Sequence, residues 1–304
     1  MILISSVPRP HPPCAETDQI SCAGTSTGFG KRLVSIVLAR GDYVVATVRK
    51  PEDVQAVVSN SKSSRLQVFV LDLRDSPQSI RDQVREVLVR WGRIDVLVNN
   101  AGTAPKSLLG EGGSEFYTEQ LQMNLVGTLN VTNAVLPSMR ERRDGTVIFL
   151  GSRSVWKPEV PLTGYYAAWK AATHLALGAT YSAELRDFGI RVMVICPGGF
   201  RTEKIHAGPL VVDNRIPEYD ALRKEALANF DGGWERASGD PTKAMELLVD
   251  VVNGEGKAAG KEFPLYLLMG SLSYDAARVS LQKLCRSMEL WEDVSRDLDI
   301  DPDE

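Results

Sequence analysis

The sequence predicts a doubly wound α/β fold, with a parallel sheet of about seven strands and helices on both faces. The chain has 304 residues, of which 43% are apolar, so it can bury one large core. From about residue 20, short runs rich in Val, Ile and Leu alternate with helical patterns. These runs do not alternate polar and apolar residues, which is typical of strands covered on both faces. Strand–helix alternation at this spacing predicts βαβ units and therefore a parallel sheet.

The strand candidates share a high content of β-branched and other apolar residues. They are Tyr43–Thr47, Leu66–Leu71, Ile94–Val98, Thr146–Leu150, Arg191–Cys196 and Pro264–Leu268. Helices are predicted over Lys31–Arg40, from Ser76-Pro77 to Gly92, over about 115–140 and over 164–187. Ser76 is a capping residue, Pro77 suits a first helical turn and Gly92 suits a helix end.

Two later segments depart from the regular alternation of strands and helices. Residues 203–245 contain three prolines, several glycines and a short helical stretch near 218–229. Such a long excursion in a compact domain is usually functional, so we expect a lid or specificity loop. A last helix near 274–292 places Leu281, Leu284, Met288 and Trp291 on one stripe. No linker divides the chain, so residues 24–304 are predicted to form a single domain.

Composition excludes several classes of function. The net charge is −4 with both signs interspersed, and no basic block indicates a nucleic-acid partner. No apolar run reaches the roughly eighteen residues of a membrane span. The four cysteines and three histidines lack metal-ligand or redox spacing, so we expect no metal and a reduced, cytoplasmic protein.

A glycine-rich turn, Gly24-Thr-Ser-Thr-Gly28-Phe-Gly30, precedes the first helix. Such a turn lets backbone N–H groups approach a pyrophosphate, and the helix dipole favours the anion. Alone the pattern also fits an ordinary strand-to-helix turn. Further motifs follow it in order: Leu71-Asp72-Leu73, Asn99-Asn100-Ala101-Gly102, Asn124, Ser152, Tyr166-x-x-x-Lys170, and Pro197-Gly198 with Thr202.

Over residues 24–202 this series resembles the short-chain dehydrogenase/reductase family. The resemblance implies a Rossmann fold, a nicotinamide dinucleotide and reversible hydride transfer between a small carbonyl compound and its alcohol. It implies the catalytic set Asn124, Ser152, Tyr166 and Lys170. The cofactor contacts that it implies are Gly24, Ser26, Gly28, Phe29, Gly30, Asp72, Leu73, Asn99, Ala101, Gly102, Tyr166, Lys170, Pro197, Gly198, Phe200 and Thr202.

The choice between NAD and NADP depends on the residues after the second strand. Val48 stands where NAD-preferring relatives usually carry aspartate, and Arg49 stands where NADP-preferring relatives carry arginine. An arginine can accept the 2′-phosphate of NADP. We therefore expect NADP(H), although Arg49 could also be a solvated loop charge.

Tyr166 and Lys170 are four residues apart and share a helix face. A phenol has a pKa near 10, and a nearby ammonium group favours the phenolate, so Lys170 is expected to lower the pKa of Tyr166. In the family, the serine steadies the substrate carbonyl. The asparagine kinks its helix and holds a water that relays protons to the lysine.

Ser152 and Tyr166 are fourteen residues apart, whereas relatives have thirteen. Tyr165 has the usual spacing, but its partner four residues on is Trp169, which cannot lower a pKa. We therefore expect a one-residue insertion within 155–164, with Ser154 as the alternative serine. Trp169 could pack against a neighbouring element or narrow the substrate site. His174 is expected to be a packed or interfacial residue rather than a proton relay.

Beyond Thr202 the chain is similar to fungal and bacterial members, in Gly239-Asp240-Pro241-x-Lys243-Ala244 and in the ending 291–295. Several fungal relatives act in secondary metabolism. Val155, Trp156, Phe200 and the excursion 203–235 would wall an apolar pocket, which favours a bulky hydrophobic carbonyl substrate.

The family pattern also implies a homodimer or homotetramer through the helices at 115–140 and 164–187. These carry surplus apolar residues: Leu125, Val126, Leu129, Val131, Leu175 and Leu177. The rival hypotheses are a nucleotide-sensing regulator and a catalytically impaired copy.

The N-terminal segment 1–23 is atypical. Met1–Ser6 makes a better buried strand than residues 16–23, and joining Ser6 to Gly24 resembles the family's start closely. We therefore expect residues 7–23 to be an insertion that disturbs the cofactor site. The chain could use Met1–Ser5 as the central strand, or residues 18–23. The second keeps the backbone continuous into the glycine turn, and we favour it.

Overall fold

Seven strands form one fully parallel sheet in the computed structural model, which describes residues 20–23, 25, 27–53, 63–203, 208–233 and 235–300. The order across the sheet is β3-β2-β1-β4-β5-β6-β7. The strands are β1 Ile20–Ala23, β2 Val44–Val48, β3 Leu66–Val70, β4 Val96–Asn99, β5 Gly145–Leu150, β6 Ile190–Pro197 and β7 Tyr266–Met269. This is the predicted Rossmann-type fold, and the six strand candidates are each confirmed to within a few residues.

Nine α-helices have both ends in the described residues. They are α1 Gly28–Ala39, α2 Pro77–Trp91, α3 Ser114–Leu121, α4 Gly127–Arg142, α5 Gly164–Ala171, α6 Gly178–Leu185, α7 Asp220–Phe230, α8 Pro241–Asn253 and α9 Ser271–Ser295, with a short turn at Glu52–Asp53. Ser76 caps α2 as predicted, accepting a hydrogen bond of 3.1 Å from the Ser79 N–H. Gly92 ends that helix at φ +85°, a conformation that favours glycine.

The first strand answers one question that the sequence left open. Ile20–Ala23 lies in the middle of the sheet, paired with β2 on one side and β4 on the other. The favoured alternative, in which residues just before the glycine turn enter the sheet, is therefore confirmed. Met1–Ser6, and the part of the expected insertion 7–23 that precedes residue 20, lie outside the described residues.

The core lies between the sheet and its two helical layers. Val37, Val45, Leu97, Ile148 and Val194 are fully buried. β2, β4, β5 and β6 bury consecutive residues and therefore both of their faces, which explains the absence of a polar–apolar alternation in the sequence.

Candidate active site

The predicted site residues gather at the carboxyl ends of the strands. Asn99 ends β4, Ser152 follows β5 and Pro197 ends β6. The sheet order reverses between β1 and β4, because β2 and β3 lie on one side and β4 to β7 on the other. In open parallel sheets, ligands bind in the crevice at such a switch point.

The N-terminus of α1 holds an anion. The backbone N–H of Gly28 donates to Oε2 of Glu203 at 2.8 Å, and Arg32 pairs with Oε1 at 2.8 Å. The hydrogen bond from Arg32, aided by that from Gly28, lowers the pKa of Glu203 to about 2. A helix N-terminus attracts negative charge through its free N–H groups and its dipole. A protein carboxylate therefore occupies the place where the sequence predicts a pyrophosphate.

The Glu203 carboxylate shows that the described part of the turn can accept an anion. Gly28 has φ +60°, and a Cβ there would lie 3.8 Å from the Thr202 side chain. Phe29 and Phe200 meet edge to face with ring centroids 5.3 Å apart. Gly28, Phe29, Phe200 and Thr202 are thus brought together as predicted. Gly24 and Ser26 lie outside the described residues.

The residues expected at the adenosine end lie around the ends of β2 and β3. Val48 is buried in the core and Arg49 is exposed. The Asp72 carboxylate accepts hydrogen bonds from the Arg74 side chain, which, with a smaller contribution from Arg49, lowers the pKa of Asp72. Leu73 is buried, and its carbonyl oxygen lies so close to Gly127 that a side chain there would collide.

A second group lines the crevice from the β4 side. Asn99 Nδ2 donates to Thr132 Oγ1 at 3.1 Å. Ala101 and Gly102 follow, and a Cβ on Gly102 would lie 3.2 Å from Asn124 Oδ1 and 3.1 Å from the Trp169 ring. On the far side, the Gly198 N–H donates to Met269 O at 2.9 Å.

Asn124 lies in a π-helical turn, Gln122–Val126, that joins α3 to α4. Its Oδ1 accepts from the Thr103 N–H at 2.9 Å and its Nδ2 donates to Gln120 O at 3.0 Å. The helix predicted over 115–140 is therefore interrupted at the asparagine. Single π-helical turns of this kind are frequent at functional sites.

Ser152 and Tyr166 are both buried, and the Ser152 side chain acts to lower the pKa of Tyr166. Ser152 also accepts from the Ser154 N–H at 3.1 Å, so it caps the short turn 153–155. Leu162, in the segment predicted to carry the extra residue, has φ +69°, which is rare for a leucine.

Tyr165 points elsewhere. Its hydroxyl donates to Leu109 O at 2.9 Å, and its ring packs against Phe116 and Tyr117. The two adjacent tyrosines thus have separate environments: Tyr166 packs against Trp169, and Tyr165 ties α5 to the loop before α3.

Lys170 does not lower the pKa of Tyr166 as the sequence led us to expect. Its Nζ donates to Leu150 O and lies 4.4 Å from the Trp169 ring centroid, but 5.8 Å from that of Tyr166. Burial raises the pKa of Tyr166, and the opposing effect of the Ser152 side chain is smaller. Burial also lowers the pKa of Lys170 to about 7. Desolvation therefore outweighs charge attraction in this arrangement.

Trp169 and His174 are both packing residues. Trp169 is 2% exposed and contacts Ala104, Leu121 and Tyr166, which agrees with the first of its two interpretations. His174 is fully buried, with Nε2 3.2 Å from Cys196 Sγ. Burial lowers the pKa of His174 to about 4, so the ring is neutral near pH 7.

The excursion 203–245 is anchored to the loop before α3 by a buried ion pair. Arg223 on α7 pairs with Glu111, which also accepts from the Ile216 N–H at 2.8 Å. An apolar cluster beneath α7 joins Leu108, Leu162 and Ala226. Residues 204–207 and 234 of this excursion lie outside the described residues.

Sequence reasoning missed Glu203, Arg32, Glu111 and Arg223. Glu203 follows Thr202 directly, and Arg32 lies one turn into α1. Neither position carries a signal that they meet, because 171 residues separate them along the chain. Glu111 and Arg223 are likewise 112 residues apart.

The fold and this crevice define a dinucleotide-binding oxidoreductase. The family model of the short chain dehydrogenases matches residues 19–207, and the chain belongs to that family. As a member it is an enzyme of hydride transfer between a nicotinamide dinucleotide and small molecules.

Three relatives illustrate the range of similarity. Oxidoreductase BOA17 of Botryotinia fuckeliana is 29% identical over 277 residues, covering 90% of this chain and 96% of that protein. The 3-oxoacyl-[acyl-carrier-protein] reductase FabG of Thermotoga maritima is 32% identical over 76% of this chain and 89% of its own. A short-chain dehydrogenase from Streptomyces avermitilis has a crystal structure with a TM-score of 0.79. It is 29% identical, covering 92% of this chain and 98% of its own.

Proposed function

We propose that the protein is an NADPH-dependent carbonyl reductase, with Tyr166 as the general acid. The observation that carries this proposal is the burial of both Ser152, just after β5, and Tyr166, with Lys170 one helical turn from Tyr166. A serine hydroxyl and a phenol that converge can both donate to one carbonyl oxygen. General acid catalysis by a positioned group contributes about 10²–10⁴-fold in rate.

The four side chains have separate roles in this proposal. Ser152 holds the substrate carbonyl, and Tyr166 donates a proton to its oxygen as the alcohol forms. Lys170, held by Leu150 O, replaces that proton, and Asn124 supports the relay from solvent. When the dinucleotide is bound, its reduced nicotinamide supplies the hydride.

Gly28, Phe29, Phe200 and Thr202 would hold the dinucleotide between α1 and the end of β6. The Glu203 carboxylate at the Gly28 N–H supports a phosphate position there. The preference for NADPH rests on Arg49, which is exposed at the end of β2, beside the buried Val48. An arginine there can pair with a 2′-phosphate, whereas a ribose diol calls for a carboxylate.

The substrate that we propose is a bulky hydrophobic ketone or aldehyde. Leu108, Leu162 and Ala226 form an apolar cluster with Leu210 and Phe230 of the excursion, and this cluster is the wall that we propose for the substrate site. A sugar would require convergent polar groups at that wall. The name of the Thermotoga relative describes reduction of a ketone, and that of the Botryotinia relative describes an oxidoreductase.

We further propose a cytoplasmic homodimer or homotetramer formed through helices α3 to α6. Leu175 is 50% exposed, and Leu125, Val126 and Leu129 are half-buried, so they can face a second subunit. Val131 is fully buried in the chain's own core and does not belong to that surface, which corrects its inclusion above. Within the described ranges, no helix is both long and apolar enough to cross a membrane.

The test is oxidation of NADPH by the purified chain against a panel of ketones and aldehydes of increasing size. We expect turnover with bulky apolar carbonyls and little with sugars. Tyr166→Phe is the control that removes the proton donor. A chain that binds NADPH but turns over no carbonyl would favour a nucleotide-sensing role instead.

A further inference from the structure

The C-terminal helix extends beyond the domain that it belongs to. At 1.5 Å per residue, the 25 residues of α9 are about 37 Å long. Only its first part packs on the domain, where Ser273, Ala276 and Ala277 are buried. Lys283 reaches Glu159 at 2.8 Å, and all residues from 281 to 300 are exposed.

This projecting part carries an apolar stripe. Leu281, Leu284, Met288 and Trp291 are 55%, 59%, 61% and 56% exposed. Their spacing of three, four and three residues is that of the contact positions of a coiled coil. A short helix in water gains most of its stability from packing, and large exposed apolar surfaces mark interaction sites. We therefore expect the stripe to bind another apolar surface.

The charges of α9 indicate the partner and its direction. Arg278, Lys283 and Arg286 lie in the first part of the helix, whereas Glu289, Glu292 and Asp293 lie towards its end. The helix dipole favours the opposite order, with cations near the C-terminus. A second copy running antiparallel would place each basic part against an acidic part. A parallel copy would oppose like charges.

We propose that this stripe binds the same stripe of a second copy of the chain, antiparallel and related by a two-fold axis. One register pairs Leu281 with the partner's Trp291 and Leu284 with the partner's Met288. The same register brings Arg278 near the partner's Glu292 and places Cys285 one residue from the axis, beside its own copy. This surface is separate from α3 to α6 and goes beyond the proposed catalytic function.

Cross-linking at Cys285 tests the register directly. Cys285 is exposed, so a short bismaleimide can reach it in the folded chain. We expect a Cys285–Cys285 linked peptide in the digest of the cross-linked dimer, and its loss in Cys285→Ser. Absence of that peptide at concentrations where the protein is oligomeric overturns the proposal.

A charge swap tests the orientation. Arg278→Glu and Glu292→Arg should each weaken association by about tenfold, because both symmetric pairs become repulsive. The double variant should restore the wild-type cross-linking yield. Equal yields in all four proteins contradict antiparallel pairing.

Trp291→Glu tests the apolar contact, with Leu290→Glu as its matched control. Leu290 is 67% exposed on the other side of the same helix, so neither change disturbs the core. Sedimentation should show a loss of assembled species for Trp291→Glu alone. Equal masses for both variants, or a monomeric wild type, would contradict the pairing of the stripe with a second copy. Because carbonyl reduction is measured separately, failure here leaves the proposed activity untouched.

Discussion

Glu203 accepts a hydrogen bond of 2.8 Å from the backbone N–H of Gly28, at the helix terminus where a dinucleotide phosphate is expected. Arg32 holds the same carboxylate from one turn further along α1. A phosphate arriving there would compete with Glu203 for both donors. Glu203 thus lies where it can oppose cofactor binding.

Glu203→Gln should therefore tighten the binding of NADPH. Removing one competing negative charge at a helix N-terminus corresponds to about a threefold change in Kd. Calorimetric titration measures it directly. Glu218→Gln, an exposed carboxylate in the same excursion, is the matched control and should change nothing. A Kd that is unchanged or weaker in Glu203→Gln would show that the carboxylate does not compete.

Arg49→Asp should reverse the cofactor preference. Loss of a charge-assisted contact to the 2′-phosphate should weaken NADPH by about tenfold or more, while the new carboxylate can accept from a ribose diol. The measurement is kcat/KM for NADPH and NADH in both proteins. Lys50→Asp, the neighbouring exposed position, is the control. Equal efficiency with both cofactors in the wild type would refute the assignment.

Lys170 should make stability depend on pH. Its pKa is about 7 in the folded chain, below its ordinary value of 10.5. Between those values the unfolded chain binds more protons, so the free energy of unfolding rises with pH, at most by about 1.4 kcal/mol per pH unit. Below the folded value both states are protonated and the slope vanishes.

The check is Tm from about pH 6 to pH 9 for the wild type and Lys170→Met. The variant has no ammonium to bury. The Tm of the wild type should therefore rise with pH relative to the Tm of the variant. A difference that is constant over this range would mean that Lys170 stays charged when folded.

Much of the fold could be predicted because its signals are local. The strands appear as apolar runs, and α2 begins and ends where Ser76, Pro77 and Gly92 place its caps. The four residues proposed for catalysis also follow from ordered motifs. What the sequence does not show depends on tertiary contacts. Glu203 meets Gly28 across 175 residues, and the pKa of Tyr166 depends on how deeply the phenol is buried and where Lys170 points.

Mutation should distinguish the role of Tyr165, in stability, from that of Tyr166, in catalysis. Tyr165→Phe removes the hydrogen bond to Leu109 O and should lower the free energy of unfolding by about 1 kcal/mol, with most activity kept. Tyr166→Phe should lower kcat by about 10²–10⁴-fold and still bind NADPH. Denaturant unfolding and steady-state kinetics on both variants measure the two effects. If Tyr165→Phe is the inactive variant, the alignment of the fourteen-residue spacing is wrong.

The most direct test of the central claim follows deuterium from NADPH labelled at C4 into a bulky ketone. The account predicts an alcohol with one deuterium on the former carbonyl carbon, detected by mass spectrometry, for the wild type and Tyr165→Phe. Tyr166→Phe should form almost none while its NADPH affinity is unchanged. Undiminished labelled alcohol from Tyr166→Phe, or none from a wild type that binds NADPH, would contradict the account.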